Sequence, residues 1–329
     1  MEHYRIYHDK IPAFLCECID TPLVKRLKNI GMNCGCEYTS FSQFTDLASY
    51  SRLDHSIGVA LIVWHFTYDR KQAVAGLLHD VASPVFAHVV DFMRGDYLKQ
   101  EFTEAGTESL IAGSLELQAV LKKYELTTGD VCDYHLYPIA DNDSPRLSSD
   151  RLEYTLGNSI NYKICSIEDS KRFYGDLAVG TNEDGTEELM FLHRDLAEAF
   201  AKAALACSKI YISDEDRYAM QVLSEILRHA IEHRVIGEKD LYTTEPEVIE
   251  KLLSDACTAS QWKGFCALRQ IISAPRPGLE GCWRRIVAKK RCIDPMVQGE
   301  GRLSQLSPAF AESLSAFQNS THNYWITGK

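Results

Sequence analysis

Long apolar runs, basic charge and strand-forming segments are all scarce in this sequence. The longest apolar stretch, residues 57–64, falls far short of the roughly 20 residues that a bilayer-spanning helix needs. Residues 1–14 carry no apolar run of signal-peptide length, so neither a membrane span nor a secretory leader is expected. Lys and Arg number 35 against 46 Asp and Glu, a formal net charge of −11. Nucleic acid and acidic membranes want an extended basic face, which such a chain does not offer. A small anion needs only a local cluster of Arg and Lys, so the acidic balance does not exclude one. The eleven cysteines are an odd number scattered over the whole length, and they read as reduced thiols of a cytoplasmic protein rather than as a disulfide framework. Cys16 with Cys18 and Cys34 with Cys36 are spaced C-x-C, without the two-residue gap usual at zinc, and read as buried thiols.

What is present is helix. At 329 residues the chain is long enough for one large domain or two ordinary ones, with a real core. Between residues 219 and 230, apolar side chains fall at Ala219, Val222, Leu223, Ile226, Leu227 and Ala230, one face of a 3.6-residue period. Ser213 with Asp216, and Thr244 with Glu247, supply helix starts ahead of apolar runs. Residues 196–207 are rich in Ala, Leu and Phe and also read as helix. Residues 141–145 (DNDSP) read as a loop, with Ser148 or Ser149 capping the helix that follows and Asp150 in its first turn. The best strand candidate is residues 283–287, after the turn-rich APRPG of 274–278. The expectation is an all-α domain over 1–273 with a small C-terminal α/β appendage over 274–329. No repeat, heptad run or low-complexity segment interrupts it.

The chemistry begins at His79-Asp80, which ends the apolar run AVAGLL of residues 73–78. Adjacent helical residues stand about 100° apart, so both side chains can reach one ion at the helix end. Pro84 then blocks continuation, because its ring clashes with the carbonyl four residues back. On the dipeptide alone, a buried His hydrogen-bonded to a carboxylate explains as much. A second His-Asp pair, His8-Asp9, lies in a polar stretch with no such helix before it and reads as chance. The context of His79-Asp80 is different. Upstream lies SRLDHSIGV (51–59) and downstream SDRLEY (149–154). Together these segments and the dipeptide supply two imidazoles and two carboxylates. Two imidazoles and two carboxylates suit one divalent Fe, Mn, Zn or Ni ion, with positions left for water and substrate.

The order H…HD…D, with R-x-x-H-S-x-G-V around the first His, resembles the HD superfamily of metal-dependent phosphohydrolases. More narrowly it resembles the deoxynucleoside-triphosphate triphosphohydrolase branch, from residues 20–27 (DTPLVKRL) to residues 240–252, about three quarters of the chain. The resemblance implies an HD-domain helical fold and metal ligation by His55, His79, Asp80 and Asp150, with Mg an option in turnover. It implies a catalytic histidine at His88, with Asp91 as its orienting partner. It places Arg52 against nucleotide and phosphates, Arg151 where the family has a phosphate-contacting Lys, and Tyr154 at a substrate-contacting tyrosine. For Arg52 a structural salt bridge is the competing reading, and for His88 a surface histidine on a helix.

The departures from the family lie at the substrate end. Ala82 and Ser83 stand where the family has Gly-His, and Glu104 falls near the position of a second active-site histidine. Met32 and Asn33 replace the sugar-reading glutamine and its neighbour, and Asn158 replaces an Asp. The arginine that grips the terminal phosphates has no counterpart near Ala199, and a tyrosine position holds Cys207. The expected activity is therefore hydrolysis of a phosphoester, most simply of a nucleotide, with the triphosphate left open. The rival is a catalytically impaired HD protein acting as a metal-bound nucleotide sensor or oligomeric scaffold. The resemblance also implies a homo-oligomer, most simply a dimer. Arg284, Arg285, Lys289, Lys290 and Arg291 read as a solvated strand face rather than a nucleic-acid patch.

Overall fold

The computed structural model describes residues 3–95, 106–287 and 289–329. At its centre lies α1 (Arg52–Thr67), packed along α2 (Arg70–Leu78). Every side chain of α1 from His55 to Val63 is buried, the signature of an interior helix rather than an amphipathic surface one. Its start is fixed by a reciprocal cap. The Ser51 hydroxyl accepts from the Asp54 N–H at 3.2 Å, and the Asp54 carboxylate accepts from the Ser51 N–H at 2.9 Å. Asp69 caps α2 by accepting from the N–H of Lys71 and Gln72. The two helices cross closely at Gly76, where a Cβ would meet Val59 Cγ1 at 3.2 Å.

The remaining long helices are arranged around this pair. They are α4 (Ser149–Asn161), α5 (Arg194–Ile210), α6 (Asp214–Glu232), α7 (Glu245–Ser254), α8 (Ala256–Cys266) and α9 (Pro308–Asn319), with the short α3 (Val89–Arg94) packed on α6. One apolar core gathers α1, α2, α4 and α5. A second gathers α6 and α8 around Phe86, Val89 and Val90. The helix starts expected at Ser213 and Thr244 are those observed, and Ser148 is the cap of α4. Among the described residues no helix is long and apolar enough to cross a membrane.

The fold is mostly helical, as expected, but not purely so. Strand β1 (Leu177–Thr181) forms an antiparallel hairpin with β2 (Glu187–Phe191). Four of the five β2 residues are buried, so no alternation of apolar and polar residues marks it as a strand. Its Glu, Leu and Met are helix formers, and tertiary pairing overrides that preference. The turn is the one local signal: Asn182 Oδ1 accepts from the N–H of Asp184 and of Thr186, and Gly185 takes φ +79°. Residues 283–287 are not a strand; only Arg284 makes an isolated bridge, to Ile326. The C-terminal strands are β3 (Ile271–Ala274), antiparallel to β6 (Trp325–Gly328), and β4 (Met296–Val297) with β5 (Gly301–Arg302). β4 lies parallel to β2, giving the order β1-β2-β4-β5. This sheet is sewn together by a buried ion pair between Arg302 on β5 and Glu188 on β2, with two contacts of 2.6 Å.

Candidate metal centre

Three segments far apart in sequence converge where α2 ends. His79 is the C-terminal cap residue of α2. The chain then turns tightly: the N–H of Val81 donates to Leu78 O and that of Ser83 to Asp80 O. Past Pro84, Phe86 and Ala87 both take left-handed backbone, φ +58° and +45°. Such a pair is costly for residues with side chains, and tertiary contacts hold it. The Phe86 N–H donates to Glu245 Oε1 at 3.3 Å, and that of Val85 to Leu241 O at 2.7 Å. The turn delivers His88 to the start of α3.

His55 from α1 and Asp150 from the first turn of α4 complete the convergence. His55 Nε2 lies 3.2 Å from His79 Nε2 and 3.0 Å from Asp150 Oδ1. Asp80 Oδ2 is 3.6 Å from His79 Nε2 and 4.0 Å from His55 Nε2. One ligand atom from each of His55, His79 and Asp80 can be chosen so that all lie within 4.8 Å of one another, and all three residues are buried. Asp150 approaches the two imidazoles, at 3.0 and 3.7 Å.

The ring nitrogens are already assigned by their outer partners. His79 Nδ1 faces Gly76 O at 2.7 Å; a carbonyl only accepts, so Nδ1 carries the hydrogen and Nε2 is left bare. His55 Nδ1 donates to Glu153 Oε2 at 2.5 Å, and Glu153 also accepts from the Tyr50 hydroxyl at 2.5 Å. The fully buried Glu153 fits because Gly58 leaves room; a Cβ there would meet Glu153 Cγ at 2.5 Å. With both Nδ1 atoms committed, the two Nε2 atoms face each other at 3.2 Å beside two carboxylates. That set of donors fits a divalent cation, whose ligands at about 2.1 Å stand roughly 3.0–3.5 Å apart. A proton competes for the same place at His55. Burial opposes an imidazolium at His55, yet the carboxylates of Glu153 and Asp150 push its pKa up to about 10. Burial likewise raises the Asp80 carboxyl, but Arg52 and the two imidazoles hold it well below the usual carboxylate range. The pocket carries negative charge that asks for a cation.

The centre lines a cavity of about 610 Å³, within the size range of small-molecule sites. Arg52, Arg151, Tyr154 and His88 line it together with His55, His79, Asp80 and Asp150. Arg52 is buried and pairs with Asp80 Oδ2 at 3.0 Å. The salt-bridge reading of this residue and a place on the cavity wall are therefore both observed. Ser83 donates its hydroxyl to Asp80 Oδ1 at 2.7 Å. Arg151 donates to Arg146 O at 2.7 Å and to the backbone and side chain of Asn142, and it meets Asp141 at 3.1 Å. The buried Asp91 accepts from His88 Nδ1 at 2.9 Å, and Arg291 Nη2 lies 3.3 Å from His88 Nε2. Burial, with the charges of Arg291 and Arg52, holds the His88 imidazole below its ordinary pKa in spite of Asp91. Glu104 lies outside the described residues.

Several residues here were not singled out from sequence. Glu153 could have been: it sits three residues after Asp150, on the same face of α4. Tyr162 and Tyr211 join Tyr154 on an aromatic wall, with ring centroids 6.3–6.5 Å from Tyr211. The solvated-strand reading of the C-terminal basic run is corrected in part. Arg284 and Arg285 do engage other groups, Glu225 and Asn323, but Lys289, Lys290 and Arg291 line the cavity. The segment is not a strand, and only tertiary folding reveals where it lies.

No family model matches the chain. It is 23% identical over 303 residues to a metal-dependent phosphohydrolase, cns2, of Cordyceps militaris, covering 89% of this chain and 83% of that protein. It is 26% identical over 246 residues to YdhJ, an uncharacterised protein of Bacillus subtilis, covering 74% and 71%. Its fold is shared with the crystal structure of a phosphohydrolase, BT4208, from Bacteroides thetaiotaomicron. The TM-score is 0.65 at 15% identity, over 97% of this chain and 96% of that one.

Proposed function

We propose that this chain is an HD-type metal-dependent phosphohydrolase that cleaves a phosphoester, and that its substrate is a nucleotide. The observation that carries the reading is one cavity lined by two imidazoles and two carboxylates, with arginines and tyrosines on the same wall. The name of the Cordyceps militaris relative, a metal-dependent phosphohydrolase, supports the same chemistry.

His55, His79, Asp80 and Asp150 would hold the ion, one divalent Fe, Mn, Zn or Ni. When bound, such an ion polarises a phosphoryl oxygen and acidifies water. The chain's own groups do the rest. Glu153 and Gly76 O fix the two histidine tautomers so that both Nε2 atoms stay available. Arg52, held by Asp80, and Arg151, held by the 141–146 loop, present positive charge to the phosphoryl oxygens as negative charge develops there. His88, oriented by Asp91, delivers a proton to the leaving oxygen. The tyrosine rings, inclined at 72° and 59° to Tyr211, offer an apolar ring face against which a nucleobase packs.

The test is phosphate release from deoxynucleoside triphosphates, nucleoside monophosphates and a generic phosphoester, with the ion removed by chelation and then restored. Release that disappears with the ion, returns with it and favours a nucleotide over the generic ester is expected. Binding of nucleotides without release from any ester would contradict hydrolysis and favour a sensor.

A further inference from the structure

The C-terminal segment that lines the cavity is held in place by contacts distant in sequence. The Lys290 ammonium donates to the carbonyls of Gln318 (2.7 Å) and Ser320, at the end of α9. Free carbonyls and the negative pole of the helix dipole favour a cation there. Two residues on, the Cys292 carbonyl accepts from the Ser144 hydroxyl at 3.3 Å, and the Asp294 N–H donates to Pro145 O at 2.9 Å. Residues 289–292 are thus strapped between α9 and the loop that also holds Arg151. Lys290 is the anchor, and Arg291 points inward. Arg291 sits beside His88, its Nη2 3.3 Å from His88 Nε2, and Tyr154 and Asp216 line the same cavity.

We propose that Arg291 is the phosphate-reading residue of this site, and that it alternates between His88 Nε2 and the phosphoryl oxygens of the substrate. The proposal rests on the phosphohydrolase reading above and extends it to a residue outside the helical motifs. An arginine has five N–H donors and no acceptor, so the His88 nitrogen facing it must offer its lone pair. With Nδ1–H turned to Asp91, His88 in this state is neutral and has no proton at Nε2 to give. A phosphoryl group, which presents several anionic oxygens to the guanidinium fork, is the better partner for Arg291. Once Arg291 moves onto it, Nε2 is uncovered and takes up a proton. In the reaction a water oxygen bonds to phosphorus and the P–O bond to the leaving group breaks. The electron pair stays on the leaving oxygen, which takes the Nε2 proton. The surplus proton of the attacking water replaces it, so that ester and water yield alcohol and phosphate. The arrangement couples protonation of His88 to the presence of phosphate.

The experiment measures the affinity of the metal-loaded protein for inorganic phosphate by calorimetry, in the natural sequence, Arg291→Ala and Arg291→Lys. Arg291→Ala is expected to weaken phosphate by about 10- to 100-fold, with metal content and melting temperature unchanged. Arg291→Lys keeps the charge without the fork and falls between. It also guards against a folding defect in the alanine variant. Phosphate binding equal to that of the natural sequence in both variants would overturn the proposal. Because binding needs no turnover, the comparison can be read even if no ester is hydrolysed, which separates failure here from failure of the hydrolase reading.

Discussion

Changing His79 to alanine is expected to leave a folded protein that no longer holds its ion in stoichiometric amount and releases phosphate at least about 10³-fold more slowly. The magnitude follows from the several kcal/mol that a bound ion contributes to charge stabilisation, at 1.36 kcal/mol for each factor of ten. His79 is a cleaner choice than Asp80. Asp80 also neutralises the buried Arg52 at 3.0 Å, so its removal would strand a guanidinium and mix a stability defect with the loss of metal. The outer partner of His79 is only a backbone carbonyl, Gly76 O, which can be left to water or a small relaxation. Elemental analysis, phosphate release and thermal unfolding on the same preparation check the prediction. Full activity with full metal content would place the chemistry elsewhere.

Arg302→Met is expected to destabilise the fold by about 3–5 kcal/mol, read as a lower denaturation midpoint in urea. Glu188 is completely buried, and Arg302 grips both of its oxygens at 2.6 Å. The same carboxylate accepts from the Leu147 N–H at 3.1 Å and from Asn182 at 3.1 Å. It therefore joins the hairpin, the C-terminal strands and the residue just before the cap of α4. Removing the guanidinium leaves a buried charge with only neutral donors around it. Replacing both partners, Glu188→Met with Arg302→Met, should recover part of the loss, because the penalty comes from the uncompensated carboxylate rather than from the absent pair. A loss below about 1 kcal/mol in the single variant would show that water or a neighbouring cation reaches Glu188.

Much of the candidate site could be read from the sequence because its parts stand at helix ends. The run AVAGLL reads as a buried helix that Pro84 keeps from continuing, and His79 and Asp80 stand just past its end at Leu78. Ser148 ahead of Asp150 likewise put that carboxylate in a first turn. Local rules carry such features, since caps and breaks act within a few residues. Three other features lay beyond local rules. Strand β2 is buried along almost its whole length and built from Glu, Leu, Met and Phe, so neither period nor propensity marks it. Residues 289–292 have no regular structure, and their place over the cavity depends on α9 and on the loop at Ser144 and Pro145. Arg52 was weighed as either a salt bridge or an anion contact. It pairs with an expected metal ligand on the cavity wall, so a single side chain meets both descriptions.

X-ray absorption spectroscopy at the metal edge of the purified protein, with the ion quantified in the same sample, is the most direct test of the central claim. One ion per chain, coordinated by nitrogen and oxygen with the multiple-scattering pattern of two imidazoles and no sulfur, is the result this account predicts. An ion coordinated by cysteine sulfur, or no ion after oxygen-free purification and add-back of each candidate metal, would contradict the assignment of His55, His79, Asp80 and Asp150.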